Sequence, residues 1–264
     1  MSDGLDSAAR AAIARVAATD LLLVALDFDG TLSPLEDEPM DARMLPAARV
    51  AVDALIAAPR TVVAFVSGRS LVDLRVIAEH DDASRVVLAG SHGAEFWFPG
   101  EGFVRHGEDA AAVALRDTLR AHAEEATAHL EGVWIEPKTF GFGVHTRRAE
   151  PAAAEEANRL VDAIVTAEAP EWRRRAGHNI VEYAFRHEGK DSAVAELRER
   201  TGATAVVFAG DDTTDEDALQ SLGSTDLGLR VGAGPSAATV CVPDIAALSE
   251  LLSVIAADRT GARE

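Results

Sequence analysis

Four short apolar runs, each cut off by a polar cluster, constrain this chain more than any other feature. The run at 21–26 stops at Asp27, the run at 61–66 at Ser67-Gly68-Arg69, the run at 86–89 at Gly90-Ser91-His92-Gly93, and the run at 205–209 at Gly210-Asp211-Asp212. Continuous rather than alternating apolar residues suit strands buried on both faces, and hence a parallel sheet covered by helices. Residues 45–58, 71–79 and 191–200 carry helical patterns, the last stopped by Gly202. Strand–helix alternation at this spacing predicts an open α/β fold. Ligands of such folds bind at the carboxyl ends of the strands, where all four clusters are expected.

The middle of the chain has a different pattern. Ten of the 13 aromatic residues lie between Phe96 and Phe185. Two long Ala/Glu-rich helices, near 110–130 and 151–167, alternate there with short segments at 133–136, 140–145, 172–175 and 179–183. Aromatic and β-branched strands between helices predict a small sheet with two helices on one face. Residues 104–186 are therefore expected as an α+β domain inserted into a core made of 1–103 and 187–264.

Charge and composition narrow the function. With 25 basic and 44 acidic residues the formal charge is −19, against the basic face that nucleic-acid binding needs. A 48% hydrophobic fraction excludes a mainly disordered chain. Cys241 stands alone, so no intramolecular disulfide calls for an oxidising compartment. Asp3 and Asp6 precede the first Arg, unlike a secretory leader, and the six-residue run at 21–26 is too short to cross a bilayer. A cytoplasmic protein that binds neither membrane nor nucleic acid is expected. Only two of the 25 basic residues are Lys, at positions 138 and 190, and both become candidates for sites that need a compact ammonium.

The clusters themselves carry chemistry. Asp27-Phe28-Asp29-Gly30-Thr31 follows a buried strand, and Gly30 permits the turn that brings two carboxylates together. Close carboxylates repel unless a cation or shared proton relieves them, and Mg²⁺ prefers such hard oxygen ligands. Gly210-Asp211-Asp212-Thr213-Thr214-Asp215-Glu216-Asp217 supplies a second acidic cluster, with Asp211 as candidate ligand and Asp212 and Asp215 as its orienters. The hydroxyl of Ser67 and the ammonium of Lys190, which opens a helix, can grip phosphate oxygens.

Asp-Phe-Asp-Gly-Thr, then Ser67, then Lys190, then Gly-Asp-Asp-x-x-Asp resembles the four-motif set of the haloacid dehalogenase (HAD) superfamily of phosphotransferases, in order and over the whole chain. Within it, Leu32-Ser33-Pro34, Ser67-Gly68-Arg69, Gly93-Ala94-Glu95 after His92, Glu136-Pro137-Lys138, His145-Thr146-Arg147 and Val181-Glu182 resemble the trehalose-6-phosphate phosphatases. The resemblance implies a mobile α+β cap, residues 104–186, over a Rossmann-like parallel-sheet core. It implies Asp27 as nucleophile, forming an aspartyl-phosphate, and Asp29 as acid then base. Mg²⁺ would be held by the Asp27 side chain, the Asp29 backbone carbonyl and the Asp211 side chain. Ser67 and Lys190 would hold the transferring phosphoryl group. Glu136, Lys138 and Glu182 match residues that hydrogen-bond the sugar, and Arg69, His92, Arg147 and Asn179 complete the expected substrate-binding set. Asp191 departs from the pattern, standing where relatives often have Gly; it either places a carboxylate near the phosphate or caps the helix.

The expected activity is Mg²⁺-dependent hydrolysis of trehalose 6-phosphate to trehalose and phosphate, the last step of trehalose biosynthesis. The same chemistry on sucrose 6-phosphate or a glucosylglycerol phosphate is the nearest alternative, and a non-hydrolytic phosphoacceptor module is the other. Asp29, two residues after the nucleophile, argues against the phosphoacceptor, because a signalling module needs no acid for a leaving group.

Overall fold

The computed structural model describes residues 7–105, 109–177 and 179–261. Asp3 and Asp6 lie outside the described residues. The chain divides into two compact units, Met1–Val104 with Glu188–Glu264, and Arg105–His187.

The first unit contains α1 (Ser7–Ala17), β1 (Leu22–Leu26), α2 (Pro46–Ala57), β2 (Thr61–Val66), α3 (Leu71–Ile77), β3 (Val87–Gly90), β4 (Glu95–Phe98) and β5 (Gly102–Arg105). After the insertion come α6 (Lys190–Thr201), β10 (Ala205–Gly210), α7 (Glu216–Ser221), β11 (Leu227–Val231), β12 (Val240–Val242) and α8 (Ile245–Gly261). The strands form one eight-stranded sheet in the order β12-β11-β10-β1-β2-β3-β4-β5. Pairing is parallel from β12 to β3, and β4 runs antiparallel to β3.

The apolar runs read as two-sided strands because each buries alternate residues in a different layer. Leu22, Val24 and Leu26 join Val63, Phe65, Leu88 and Val207 beneath helices α1, α2, α3 and α8. Leu23 and Ala25 join Ala64, Val66, Val206 and Phe208 beneath α6 and α7. Helix ends follow local rules: Pro46 opens α2, Ser70 accepts from Asp73 N at the start of α3, and Gly202 closes α6 at φ +71°.

The second unit contains α4 (Ala110–Thr127), β6 (Trp134–Lys138), β7 (Gly141–His145), α5 (Pro151–Glu168), β8 (Arg173–Gly177) and β9 (Ile180–Ala184). Its four-stranded antiparallel sheet has the order β6-β7-β9-β8. Phe142, Val144, Val181 and Tyr183 bury one face against Leu119 and Ala123 of α4 and Ala157, Val161 and Val165 of α5.

The aromatic-rich stretch begins before the second unit. Phe96, Trp97, Phe98 and Phe103 belong to β4 and β5 of the first unit's sheet, not to the insertion. All four residues of β4 are buried, so aromatic enrichment there marks a strand covered on both faces. Strands β11 and β12 lie outside the apolar runs because Gly228 and Arg230 interrupt the first and the second is only three residues long.

Arg259 of α8, 5% exposed, fastens the back of the first unit. Its guanidinium donates to the carbonyls of Ala17, Thr19, Pro59 and Arg60 and to the Thr61 hydroxyl, at 2.6–3.1 Å. Those acceptors terminate α1 and form the α2–β2 turn, so one side chain ties three elements. Arg259→Met keeps most of the apolar stem but strands buried acceptors, each worth about 1–3 kcal/mol when left unmet. Urea unfolding should show a stability loss on the order of 3 kcal/mol; an unchanged midpoint would refute the assignment.

Candidate active site

In the first unit the sheet reverses direction of growth between β1 and β10. Chain order runs outward from β1 through β2 and β3 on one side, and from β10 through β11 and β12 on the other. Such a switch point opens a crevice beyond the strand ends. Asp27 follows β1 and Asp211 follows β10 at that crevice, with Asp27 N donating to Ala209 O at 2.9 Å.

Gly30 makes the close approach possible. Its φ is +78°, and a Cβ there would fall 2.1 Å from Asp211 Oδ2. The turn is closed by Leu32 N and Ser33 N donating to Phe28 O and by Gly30 N donating to Ser33 O. Thr31, fully buried, places its hydroxyl 3.3 Å from Asp27 Oδ2 and 3.4 Å from Asp211 Oδ1.

Carboxylate oxygens of Asp27, Asp211 and Asp215 lie within 4.8 Å of one another. One cation stands among them: Lys190 Nζ donates to Asp27 Oδ1 and to Asp215 Oδ1, both at 2.6 Å, from the first turn of α6. The other Asp215 oxygen accepts from Asp211 N and Asp212 N at 3.1 and 3.0 Å. Asp215 therefore holds both the lysine and the loop, while Asp212 caps the following turn by accepting from Thr213 N. Burial raises Asp27 well above the usual carboxylate range against the pull of Lys190, and the Asp215 and Asp211 charges add to the rise. Burial and Asp215 push Asp211 up to about 6. Burial opposes the Lys190 charge, but Asp215 and Asp27 outweigh it and hold the ammonium above its ordinary range.

The Asp29 side chain turns elsewhere. Arg69 Nε and an Arg69 terminal nitrogen donate to its two oxygens at 2.6 and 2.7 Å, a bidentate pair. Ser67 is buried and its Oγ accepts from Arg69 N at 3.2 Å. The turn after β3 presses on this loop: Ser91, His92 and Gly93 all have positive φ, at 50°, 58° and 99°. His92 N donates to Ser67 O, and a Cβ on Gly68 would meet the His92 ring at 2.7 Å. Two consecutive non-glycine residues in the left-handed region are costly. Glu95, 1% exposed, offsets that cost: its Oε2 accepts from Ser91 Oγ at 2.8 Å and from Leu71 N at 3.1 Å.

In the second unit, strand alternation puts Trp134, Glu136, Lys138, His145 and Glu182 on the sheet face opposite α4 and α5. Gly143 lies in register with both Glu136 and Glu182, leaving a gap between them. Lys138 Nζ bridges it, 2.9 Å from Glu136 Oε2 and 3.3 Å from Glu182 Oε1. Burial works against the Glu136 charge, yet His145 and Lys138 prevail and bring it down to about 2. Burial likewise opposes the Lys138 charge, and Glu182 and Glu136 raise it overall.

The candidates thus fall into two groups, one in each unit. Asp27, Asp29, Ser67, Arg69, His92, Lys190 and Asp211 gather at the strand ends of the first. Glu136, Lys138 and Glu182 meet on the second unit's polar face, with Arg147 in the turn after β7. Asn179, at φ +57°, is an exposed turn residue whose carbonyl accepts from Thr146 N and Oγ1. Asp191 sits in the first turn of α6, its buried Oδ1 without a hydrogen bond among the described residues. Thr31, Glu95 and His145 have structural contacts that the motif reading did not assign. For Thr31 and Glu95 the only signal was their place inside a motif.

The trehalose-phosphatase family model matches residues 25–250. A Mycobacterium avium protein named trehalose-phosphate phosphatase is 33% identical over 211 residues, which is 75% of this chain and 51% of that protein. A Mycobacterium tuberculosis protein named an uncharacterized glycosyl hydrolase is 33% identical over 254 residues, 89% of this chain and 18% of that one. The chain therefore spans about half, or less, of the length of these curated relatives. The C-terminal domain of trehalose-6-phosphate phosphatase from C. albicans shares the fold, with a TM-score of 0.79 at 19% identity over 94% of this chain and 96% of that domain. On the strength of the family match over most of its length, this chain belongs to the trehalose-phosphatase family.

Proposed function

We propose that this chain hydrolyses trehalose 6-phosphate to trehalose and inorganic phosphate, the last step of trehalose biosynthesis, through a phosphate ester of Asp27. The observation that carries the reading is the Asp27 carboxylate at the switch point, buried and poised between Lys190 and Thr31, in a member of this family. The substrate comes from the name of the M. avium relative.

A hard divalent cation fits the donor set. Three carboxylates share one ammonium, and burial, with the charge of the neighbouring carboxylates, pushes two of the three upward. Asp27, Asp211 and the Asp29 carbonyl would hold Mg²⁺, and Asp215 orients them through Lys190 and the loop amides. When bound, the ion would neutralise charge on phosphoryl oxygens.

The protein's own groups do the rest. An Asp27 oxygen bonds to phosphorus as the bond to the sugar oxygen breaks, and Asp29 gives that oxygen its proton. Water then attacks phosphorus, Asp29 takes a proton back, and phosphate leaves Asp27 free. This divides one slow displacement into two easier ones. Both Asp29 oxygens are occupied by Arg69 in the resting geometry, so the acid step requires that pair to open. The phosphate dianion is a competing partner for the guanidinium and can draw it away. Ser67 and Lys190 hold the phosphoryl oxygens, and His92 shapes the Ser67 loop. In the cap unit, residues 104–186, Glu136, Lys138 and Glu182 bind sugar hydroxyls, with Arg147 and Asn179 on adjoining turns. The bound partner is a small-molecule sugar phosphate. No described helix is long and apolar enough to cross a membrane, and the reading places the chain in the cytoplasm.

Phosphate release measured on trehalose 6-phosphate, sucrose 6-phosphate and glucose 6-phosphate should favour the first strongly and stop on chelation. Equal rates would discard the sugar assignment and keep the Asp27 chemistry, whereas phosphate retained on the protein would support a phosphoacceptor. Asp27→Asn should lower kcat about a thousandfold or more with the fold intact; near-normal turnover would end the covalent mechanism.

The acidic cluster also predicts a pH signature. With its folded pKa of about 6, Asp211 binds its proton more tightly than the unfolded chain does. The Asp211 share of cation-free stability should therefore fall as pH rises from about 4 to 6, and Asp27, also raised, adds its own loss in the same direction. Thermal unfolding in chelator should show this slope, Asp211→Asn should flatten it, and Mg²⁺ should reverse it. Parallel curves for the two proteins would refute the cause assigned to the shift.

A further inference from the structure

We propose that His145 is a positioning residue for sugar recognition, acting through Glu136; the inference rests on the trehalose 6-phosphate reading and adds a specificity determinant to it. His145 Nε2 lies 2.6 Å from Glu136 Oε2. A carboxylate held as low as about 2 can only accept, so Nε2 carries the hydrogen. The imidazole is itself locked: it stacks on the Trp134 indole at 4.5 Å between centroids and 1° between planes. The register explains how this is built. His145 pairs directly with Trp134 and reaches diagonally to Glu136, across the gap left by Gly143.

The consequence lies in which oxygen is used. His145 and Lys138 both converge on Glu136 Oε2, and no hydrogen bond among the described residues reaches Oε1. A carboxylate pinned at one oxygen by a rigid ring presents the other in one direction. A sugar hydroxyl donates to one such oxygen, and preorganising it reduces the ordering cost of binding. Lys138 alone does not replace the ring, because its flexible stem is shared with Glu182.

Two substitutions give opposite predictions for donor and stack. His145→Phe keeps a ring against Trp134 and removes the donor; His145→Gln loses the ring and keeps an amide donor near the Nε2 position. If the donor matters, His145→Phe should lose about tenfold in kcat/KM on trehalose 6-phosphate, mainly through KM, with inhibition by inorganic phosphate unchanged. His145→Gln should stay within about threefold of the parent. Adding His145→Phe to Glu136→Gln should cost little beyond Glu136→Gln alone, since both act on one contact.

The reverse order, Gln impaired and Phe normal, would overturn the proposal in favour of packing. So would equal loss of trehalose 6-phosphate turnover and phosphate inhibition, or full additivity with Glu136→Gln. Should the Phe variant fail to fold, the Gln variant decides alone: retained KM supports the donor role, and a KM raised as far as in Glu136→Gln refutes it. If instead Glu136→Gln itself leaves trehalose 6-phosphate kinetics untouched, the sugar-site reading has failed, and the His145 role with it.

Discussion

The charge balance around Lys190 is the constraint on which the first unit's chemistry depends. Three carboxylates from the ends of two adjacent strands meet within a few ångströms of a single buried ammonium. Removing such charges from water is expensive, and one cation does not neutralise three anions. The surplus is stored rather than relaxed: the strands are held by an eight-stranded sheet buried on both faces, and Asp215 is held by two loop amides. A fold that keeps negative charge concentrated is primed for a divalent cation and for a phosphoryl group brought with it. Overall acidity makes this local balance more important: in the proposed reaction a chain at −19 would have to attract a dianion through a small, shielded positive field.

Around that centre the backbone itself is under tension. Ser91 and His92 sit in left-handed conformations with Gly93, and Glu95 is buried beneath them as a paired acceptor. Strain of this kind persists only when surrounding contacts over-determine it. Here it fixes the His92 ring against Gly68 and so sets the course of the Ser67–Arg69 loop. Arg69 in turn occupies Asp29, so the Ser67–Arg69 loop and the Asp29 carboxylate are coupled through one bidentate pair. The polar face of the second unit is held by pairing instead of backbone strain: a stacked imidazole, a bridging lysine and two glutamates around a glycine gap.

Much of this was legible in the chain because it is encoded at short range. An apolar run ending in a carboxylate reports a buried strand and its carboxyl end together, and the period of the runs reports a parallel sheet. The two lysines, singled out by their rarity, each bridge two carboxylates: Lys190 joins Asp27 and Asp215, and Lys138 joins Glu136 and Glu182. Aromatic enrichment alone would not have marked where the insertion starts, since Phe96, Trp97 and Phe98 owe their character to burial on both faces of β4 in the first unit. Aromatic content reports burial and strand formation, and it carries no label for the sheet that a strand joins.

By itself, then, the sequence determined the α/β class, the carboxylates at the strand ends and the turn at Gly30, because periodicity, strand length and glycine's freedom act within a few residues. Tertiary structure decided which oxygen meets which cation. Arg69 finds Asp29 across 40 positions, Lys190 finds Asp27 across 163, and His145, stacked on Trp134 directly opposite, turns Nε2 to the diagonal Glu136. These pairings depend on sheet order, register and the direction of side chains across a pleat. The physical reason is that hydrogen bonds to buried charges reward a few tenths of an ångström, a precision that residue types and spacing do not carry and only packing supplies.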